Sequence, residues 1–167
     1  MRERKTPRRD EAPARPLGGS RPASDQADRR VIDAATLAAY RETEYRVFGA
    51  SPMVLRVGVR SPQLAQQHAA HGTSCSAFIT ACNPRGLQRG ADENETAQRE
   101  LARVLSKQGR AVIEGEGVHP TNGWPREASY WVPGLEREAA QQLGRQFGQN
   151  AIIWAGSDAV PELLLLR

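Results

Sequence analysis

Between Gly109 and Val132 two extended segments follow one another with an irregular loop, and no helix, between them. Ala111–Glu114 and Ser129–Val132 both read as strands, and the stretch that separates them is broken by Gly, Pro and Trp. A doubly wound parallel sheet needs a crossover helix after each strand. This β-β step excludes it and leaves an α+β domain whose helices pack mainly on one face of the sheet.

The remaining elements are well punctuated. Asp33 caps a short helix that passes through Leu37 and Tyr40 and ends near Thr43, followed by a β-type segment, Tyr45–Phe48, and a turn at Gly49–Pro52. Val54–Val59 is a β-branched strand, and Ser61-Pro62 opens a helix that Gly72 closes. Ser76–Cys82 is an apolar, central strand broken by Asn83-Pro84-Arg85-Gly86. Asp92 and Glu95 form a capping-box variant for the next helix, whose stripe is Ala97, Leu101, Val104, Leu105 and Gln108 and whose stop is Gly109. Leu135, Ala139, Leu143 and Phe147 mark the last helix, and Ala151–Ala155 and Leu163–Leu166 are the last strands. From Val54 the order is β-α-β-α-β-β-α-β-β, which predicts a mixed sheet of about five to six strands.

Residues 1–30 do not belong to that pattern. They hold almost no large apolar side chains and are interrupted by Pro7, Pro13, Pro16, Gly18, Gly19 and Pro22, so they are expected to be a disordered tail before a single domain, 31–167. The tail also explains the net charge of +4. It carries nine Arg/Lys against five Asp/Glu, while the other 137 residues carry fourteen of each. The domain therefore has no excess charge to attract nucleic acid, and only the tail offers a weak basic arm.

No apolar run near Met1 reads as a signal peptide, and none is long enough to span a membrane, so the expected location is the cytoplasm. Cys75 and Cys82 flank one strand at odd spacing, which turns them to opposite faces and keeps them from bridging; free thiols suit a reducing compartment. Arg in place of Lys almost everywhere, with Lys5 and Lys107 the exceptions, fits a GC-rich bacterial genome.

Polar groups gather at the element ends. Thr80 and Asn83 close the central strand and Asn94 lies in the first turn of the next helix, where side chains and backbone N–H groups converge on ligands in α/β sheets. Turn and cap chemistry accounts for the same residues equally well. Glu114, Glu116 and His119 form a second group able to do acid–base work or hold a cation, although they also suit an edge strand and its turn. Trp124, Glu127 and Ser129 form a third, with a ring that can stack on a planar ligand beside a carboxylate and a hydroxyl. Gln149 and Asn150 place two amides between a helix stop and a strand. His68 and His71 share a helix face and read as solvated residues near its C-terminus.

Taken in order, Phe78-Ile79-Thr80-Ala81-Cys82-Asn83-Pro84, Glu93-Asn94, Trp124-x-x-Glu127-x-Ser129 and Phe147-Gly148-Gln149-Asn150-Ala151 resemble a bacterial family of domains of unknown function, family 3293. The resemblance runs from about Leu37 to Leu166, with Ala128 where the family has proline. It implies a cytoplasmic bacterial protein and a common role for the polar motifs, and supplies no activity. Two readings of function stand open. One is a module that binds a small polar ligand or nucleotide through Thr80, Asn83, Asn94, Trp124, Glu127, Ser129, Gln149 and Asn150. The other is an enzyme using Glu127 with Glu116 or His119 as acid–base or metal-assisted groups. No zinc spacing, phosphate loop or Ser/His/Asp set accompanies them, and the sequence specifies neither a cofactor nor an oligomeric state.

Overall fold

The computed structural model describes residues 32–167, so the expected disordered tail lies outside the described residues. Four helices and seven strands follow in the order α1 (Ala34–Glu42), β1 (Glu44–Val47), β2 (Met53–Leu55), α2 (Pro62–Ala70), β3 (Ser76–Ile79), α3 (Ala91–Lys107), β4 (Ile113–Val118), β5 (Glu127–Pro133), α4 (Arg137–Gln146), β6 (Ala151–Ala155) and β7 (Glu162–Leu165), with a short 3-10 turn at Pro84–Gly86. The strands form one sheet in the order β2-β1-β4-β5-β3-β6-β7.

The α+β class holds, with two corrections to the sheet. It has seven strands, because Glu44–Val47 pairs fully between β2 and β4. It is also antiparallel at every neighbouring pair, where a mixed sheet was expected. The reason lies in two interleaved crossovers. The β3-α3-β4 unit returns its strand in the parallel sense, but β5 inserts between the two and pairs antiparallel with both. The β5-α4-β6 unit is split in the same way by β3. A β-α-β-β-α-β core interleaved like this is the ferredoxin-like, split β-α-β arrangement. The β1–β2 hairpin extends it on one side and β7 on the other.

Side chains alternate across the sheet, so each central strand feeds two cores. Ala77 and Ile79 join Leu101 and Leu105 of α3 and Leu143 of α4 in the first. Phe78 joins Tyr45, Trp131 and Leu64 of α2 in the second. Helices α3 and α4 thus share one face as expected, and α2 covers the other. Gly115 serves this second core by close approach: a Cβ there would overlap the Arg46 carbonyl oxygen and come within 2.9 Å of Phe78 Cε2.

Element bounds shift where side chains capture the backbone. β2 stops at Leu55, short of Val59, because the chain turns through Gly58 (φ 76°), whose N–H donates to Pro161. β3 stops at Ile79 because the Thr80 hydroxyl accepts from Cys82 N–H and bends the chain out of the sheet. α3 begins one residue before Asp92, with the Glu93 carboxylate accepting from Gly90 N–H, so Gly90 and Glu93 rather than Asp92 and Glu95 make its cap. Ser61 and Asp33 cap α2 and α1 as their spacing predicts.

Candidate functional site

Asn83 is the centre of the polar cluster. It leaves β3 in the left-handed region (φ 47°), which asparagine tolerates better than most residues, and is only 6% exposed. Its Oδ1 accepts from Arg89 N–H at 2.9 Å and from Asn94 Nδ2 at 3.0 Å, while its own N–H donates to Asn94 Oδ1 at 2.9 Å. Asn94, one turn into α3, therefore clamps the 83–89 loop onto its helix. The Asn83 Nδ2 donates in turn to Glu127 Oε1 at 2.6 Å, and Trp124 Nε1 donates to the same oxygen at 3.0 Å. Loop, helix and the first residue of β5 are thus joined in one network.

The amides at the start of β6 close the cluster from below. Gln149, 8% exposed, donates to the Cys82 carbonyl at 3.0 Å, and Arg85 N–H donates to Gly148. Asn150 Nδ2 donates to the Tyr40 hydroxyl at 3.2 Å and lies against Gly86. Thr80 donates to the Ala128 carbonyl at 2.7 Å and Ser129 to the Glu127 carbonyl at 3.1 Å, so both hydroxyls satisfy backbone.

Tyr40 belongs to the cluster, although the sequence marks it only as a position on the first helix. Its carbonyl accepts from the Tyr45 hydroxyl at 2.6 Å. Burial pushes the Tyr40 hydroxyl above the ordinary tyrosine range; the Asn150 bond pulls it back, and the Glu127 charge raises it again. Tyr45 is raised for the same leading reason. Only the partner map could have revealed Tyr40, since its contact with Asn150 spans 110 residues.

Four groups and one surface in this cluster are not committed among the described residues, the side-chain oxygens of Gln149 and Asn150 being two of them. Glu127 Oε1 accepts two hydrogen bonds, and Oε2 has no partner among the described residues. The Tyr40 hydroxyl accepts from Asn150 and keeps its own proton for another acceptor. Trp124 is 41% exposed with its indole N–H fixed, so its ring offers a face of settled orientation. The β4 position opposite Glu127 is Gly117, where a Cβ would meet only Thr43 Cγ2 at 3.7 Å, so no side chain stands between Glu127 and Tyr45 in that cross-strand row.

The structure does not bring Glu116 or His119 to Glu127. Glu127 faces Gly117 across the ladder while Glu116 faces Ala128, so the alternation of β4 and β5 turns the two carboxylates to opposite faces. Glu116 pairs with Arg126 at 3.0 Å and Arg46 at 3.5 Å. His119 Nδ1 accepts from Thr121 and Asn122 N–H groups, tying its turn, and Nε2 lies 3.3 Å from Glu42. His68 is buried rather than solvated, bonded at 2.8 Å to Ser76 Oγ and stacked on Trp131, because it points into the second core. Cys75 and Cys82 are free and buried, each thiol pushed up by that burial.

The fold and the cluster define an α+β domain with a ferredoxin-like core and a polar network knitting its four motifs at one end of the sheet. Residues 79–152 match the model of a family described as a protein of unknown function, DUF3293, and over that span the chain resembles it as its motifs indicated. The match takes in Asn83, Asn94, Trp124, Glu127, Gln149 and Asn150, and leaves Tyr40 outside. No curated protein and no solved structure matches the chain. Among the described residues no helix is long and apolar enough to cross a membrane.

Proposed function

We propose that this domain is a cytoplasmic bacterial module that binds a small polar ligand with a flat ring, a nucleoside or nucleotide being the first class to test. One observation carries the reading: among the described residues Glu127 Oε2, the Tyr40 O–H and the side-chain oxygens of Gln149 and Asn150 have no partner, in a cluster whose other polar groups are bonded. An acceptor, a donor and an oriented indole face suit the edge and plane of a heterocyclic base. In this reading Asn83, Asn94 and Gln149 frame the site, because their amides serve the protein's own backbone and Glu127. Thr80 and Ser129 hold the strand ends, and contact with the ligand falls to Glu127, Trp124, Tyr40 and Asn150. Free buried cysteines support a reducing compartment.

Equilibrium binding and thermal-shift measurements over a panel of nucleosides and nucleoside monophosphates test this. Saturable binding of at least one member is expected, with Trp124→Ala and Glu127→Gln each weakening it at least about tenfold, the worth of one charge-assisted hydrogen bond or stacked ring. A flat panel, or binding that ignores both substitutions, would remove the basis of the proposal. The enzyme reading draws no support from the geometry, since Glu127 stands apart from Glu116 and His119.

A further inference from the structure

A partly buried carboxylate needs a counter-charge, because water no longer solvates it fully. Among the described residues four carboxylates are in that position: Glu44, Glu116, Glu127 and Glu162. Arginine answers three of them. Arg46 and Arg56 hold Glu44, Arg46 and Arg126 hold Glu116, and Arg137 holds Glu162 at 2.8 Å. Glu127 pairs with no cation among the described residues; its two hydrogen bonds, from Asn83 and Trp124, come from neutral donors and both fall on Oε1. Arg126, its neighbour in the chain, is engaged by Glu116, which the strand register turns to the other face, and Arg89 lies against Glu93. The local field is negative: of the charges acting on the Tyr40 hydroxyl, Glu127 is the strongest and raises it, and Arg167 is the weakest. Oε2 is also open to solvent, since the buried side-chain atoms without a partner among the described residues are Gln98 Nε2, Arg110 Nε and Trp131 Nε1. Beside it the Trp124 ring is 41% exposed. Trp154 carries Arg137 on its face at 5.0 Å, whereas no cation covers Trp124 among the described residues.

We infer that the ligand of this site is an organic cation: a flat ring bearing an amidinium, guanidinium or protonated amine that donates to Glu127 Oε2 while the ring lies on Trp124. The inference rests on the reading of the cluster as a ligand site and names the charge of what it takes. An indole face attracts a cation through its quadrupole, and a hydrogen bond between charged partners is about twice as strong as a neutral one. The open oxygens of Gln149 and Asn150 add acceptors and no positive charge. A neutral ring would leave the carboxylate uncompensated, and an anion would meet it with like charge. Within the nucleoside class this favours a base that carries positive charge, such as an N-alkylated purine, over an uncharged one.

Benzamidine, benzamide and benzoate share one flat skeleton and are cationic, neutral and anionic at neutral pH, so they isolate charge. Each is titrated into the full chain by calorimetry and by 1H–15N NMR of the Trp124 indole N–H, assigned through Trp124→Phe. Benzamidine is expected to shift that signal saturably and to bind at least about tenfold more tightly than benzamide, with benzoate weaker still. Glu127→Gln should bring benzamidine and benzamide to within about twofold of each other. Should that variant fail to fold, Trp124→Leu, in an exposed loop, gives a second reading: calorimetry should find benzamidine weakened at least about fivefold. Benzamidine that binds no more tightly than benzamide, or not at all while an uncharged nucleoside binds, overturns the inference and leaves the ligand site standing. A preference for benzamidine that survives both substitutions overturns it too. Failure of all three probes together with the nucleoside panel removes the site, and this inference with it.

Discussion

Asn83 shows how one side chain can hold a loop, a helix and a strand at once. Both ends of its amide are engaged with different elements, and its backbone occupies a region that alanine enters at a cost of about 1–2 kcal/mol. Removing the side chain also strands Arg89 N–H and Asn94 Nδ2. Asn83→Ala is therefore expected to lose about 3 kcal/mol in urea unfolding, well above a typical single substitution. Asn83→Asp keeps the acceptor but sets a second carboxylate against Glu127, so it should be nearly as harmful. Adding Glu127→Gln to that variant restores a donor–acceptor pair with the polarity reversed but takes from Trp124 Nε1 the oxygen it donates to, so about half of the loss should return. A double variant no better than Asn83→Asp would mean that the 2.6 Å contact contributes little.

At the scale of elements, the two glycines of β4 make a sharp contrast. Gly115→Ala collides with backbone at Arg46 and should cost about 2–3 kcal/mol by overpacking. Gly117→Ala makes only an ordinary contact with Thr43 Cγ2 and should be neutral, or stabilising by about 0.5 kcal/mol, through the reduced entropy of the unfolded chain. Thermal and urea unfolding of the two variants compares them directly, and equal losses would refute the packing argument. The same strand shows what the sequence made legible. Periodicity and punctuation located every helix and the β-β step, because those signals are local. The Glu114–Val118 run reads as a strand end, since glycines there suggest a turn; in the fold they are extended and admit a neighbour that sequence cannot display. The motif residues of the candidate site were legible as types. Their pairing was not, and neither was Tyr40, because each contact joins residues far apart in the chain.

Across the whole molecule, all three tyrosines are raised by burial: Tyr40, Tyr45 and Tyr130. A phenol held neutral in the folded state ionises more readily in the unfolded one, so the unfolded chain binds fewer protons once the pH passes the ordinary tyrosine value of about 10. This stabilising contribution is complete below that pH and is lost as the pH rises toward the folded values. Unfolding free energy should accordingly decline above about pH 10, with tyrosinate absorbance appearing in step with loss of structure. Tyrosinate formed near pH 10 in a chain that stays fully folded would contradict it. At the other end of the charge ledger, the equal count of fourteen acidic and fourteen basic residues beyond residue 30 leaves the domain without a net field of its own.

The interleaving of the two split crossovers has a consequence for how the protein is made. A ribosome delivers β3 long before either of its partners, β5 and β6, and α3 before the strand it packs over is in place. The nascent chain must carry an apolar strand with both edges bare until β5 begins at Glu127, and with one edge bare until β6 begins at Ala151, more than 70 residues beyond Ile79. Neither half of the interleaved core can be finished first, and the Asn83–Glu127 contact, 44 residues apart, is made only after β5 has threaded into place. A chain stalled in translation before Glu127 would thus present an apolar strand with neither edge paired.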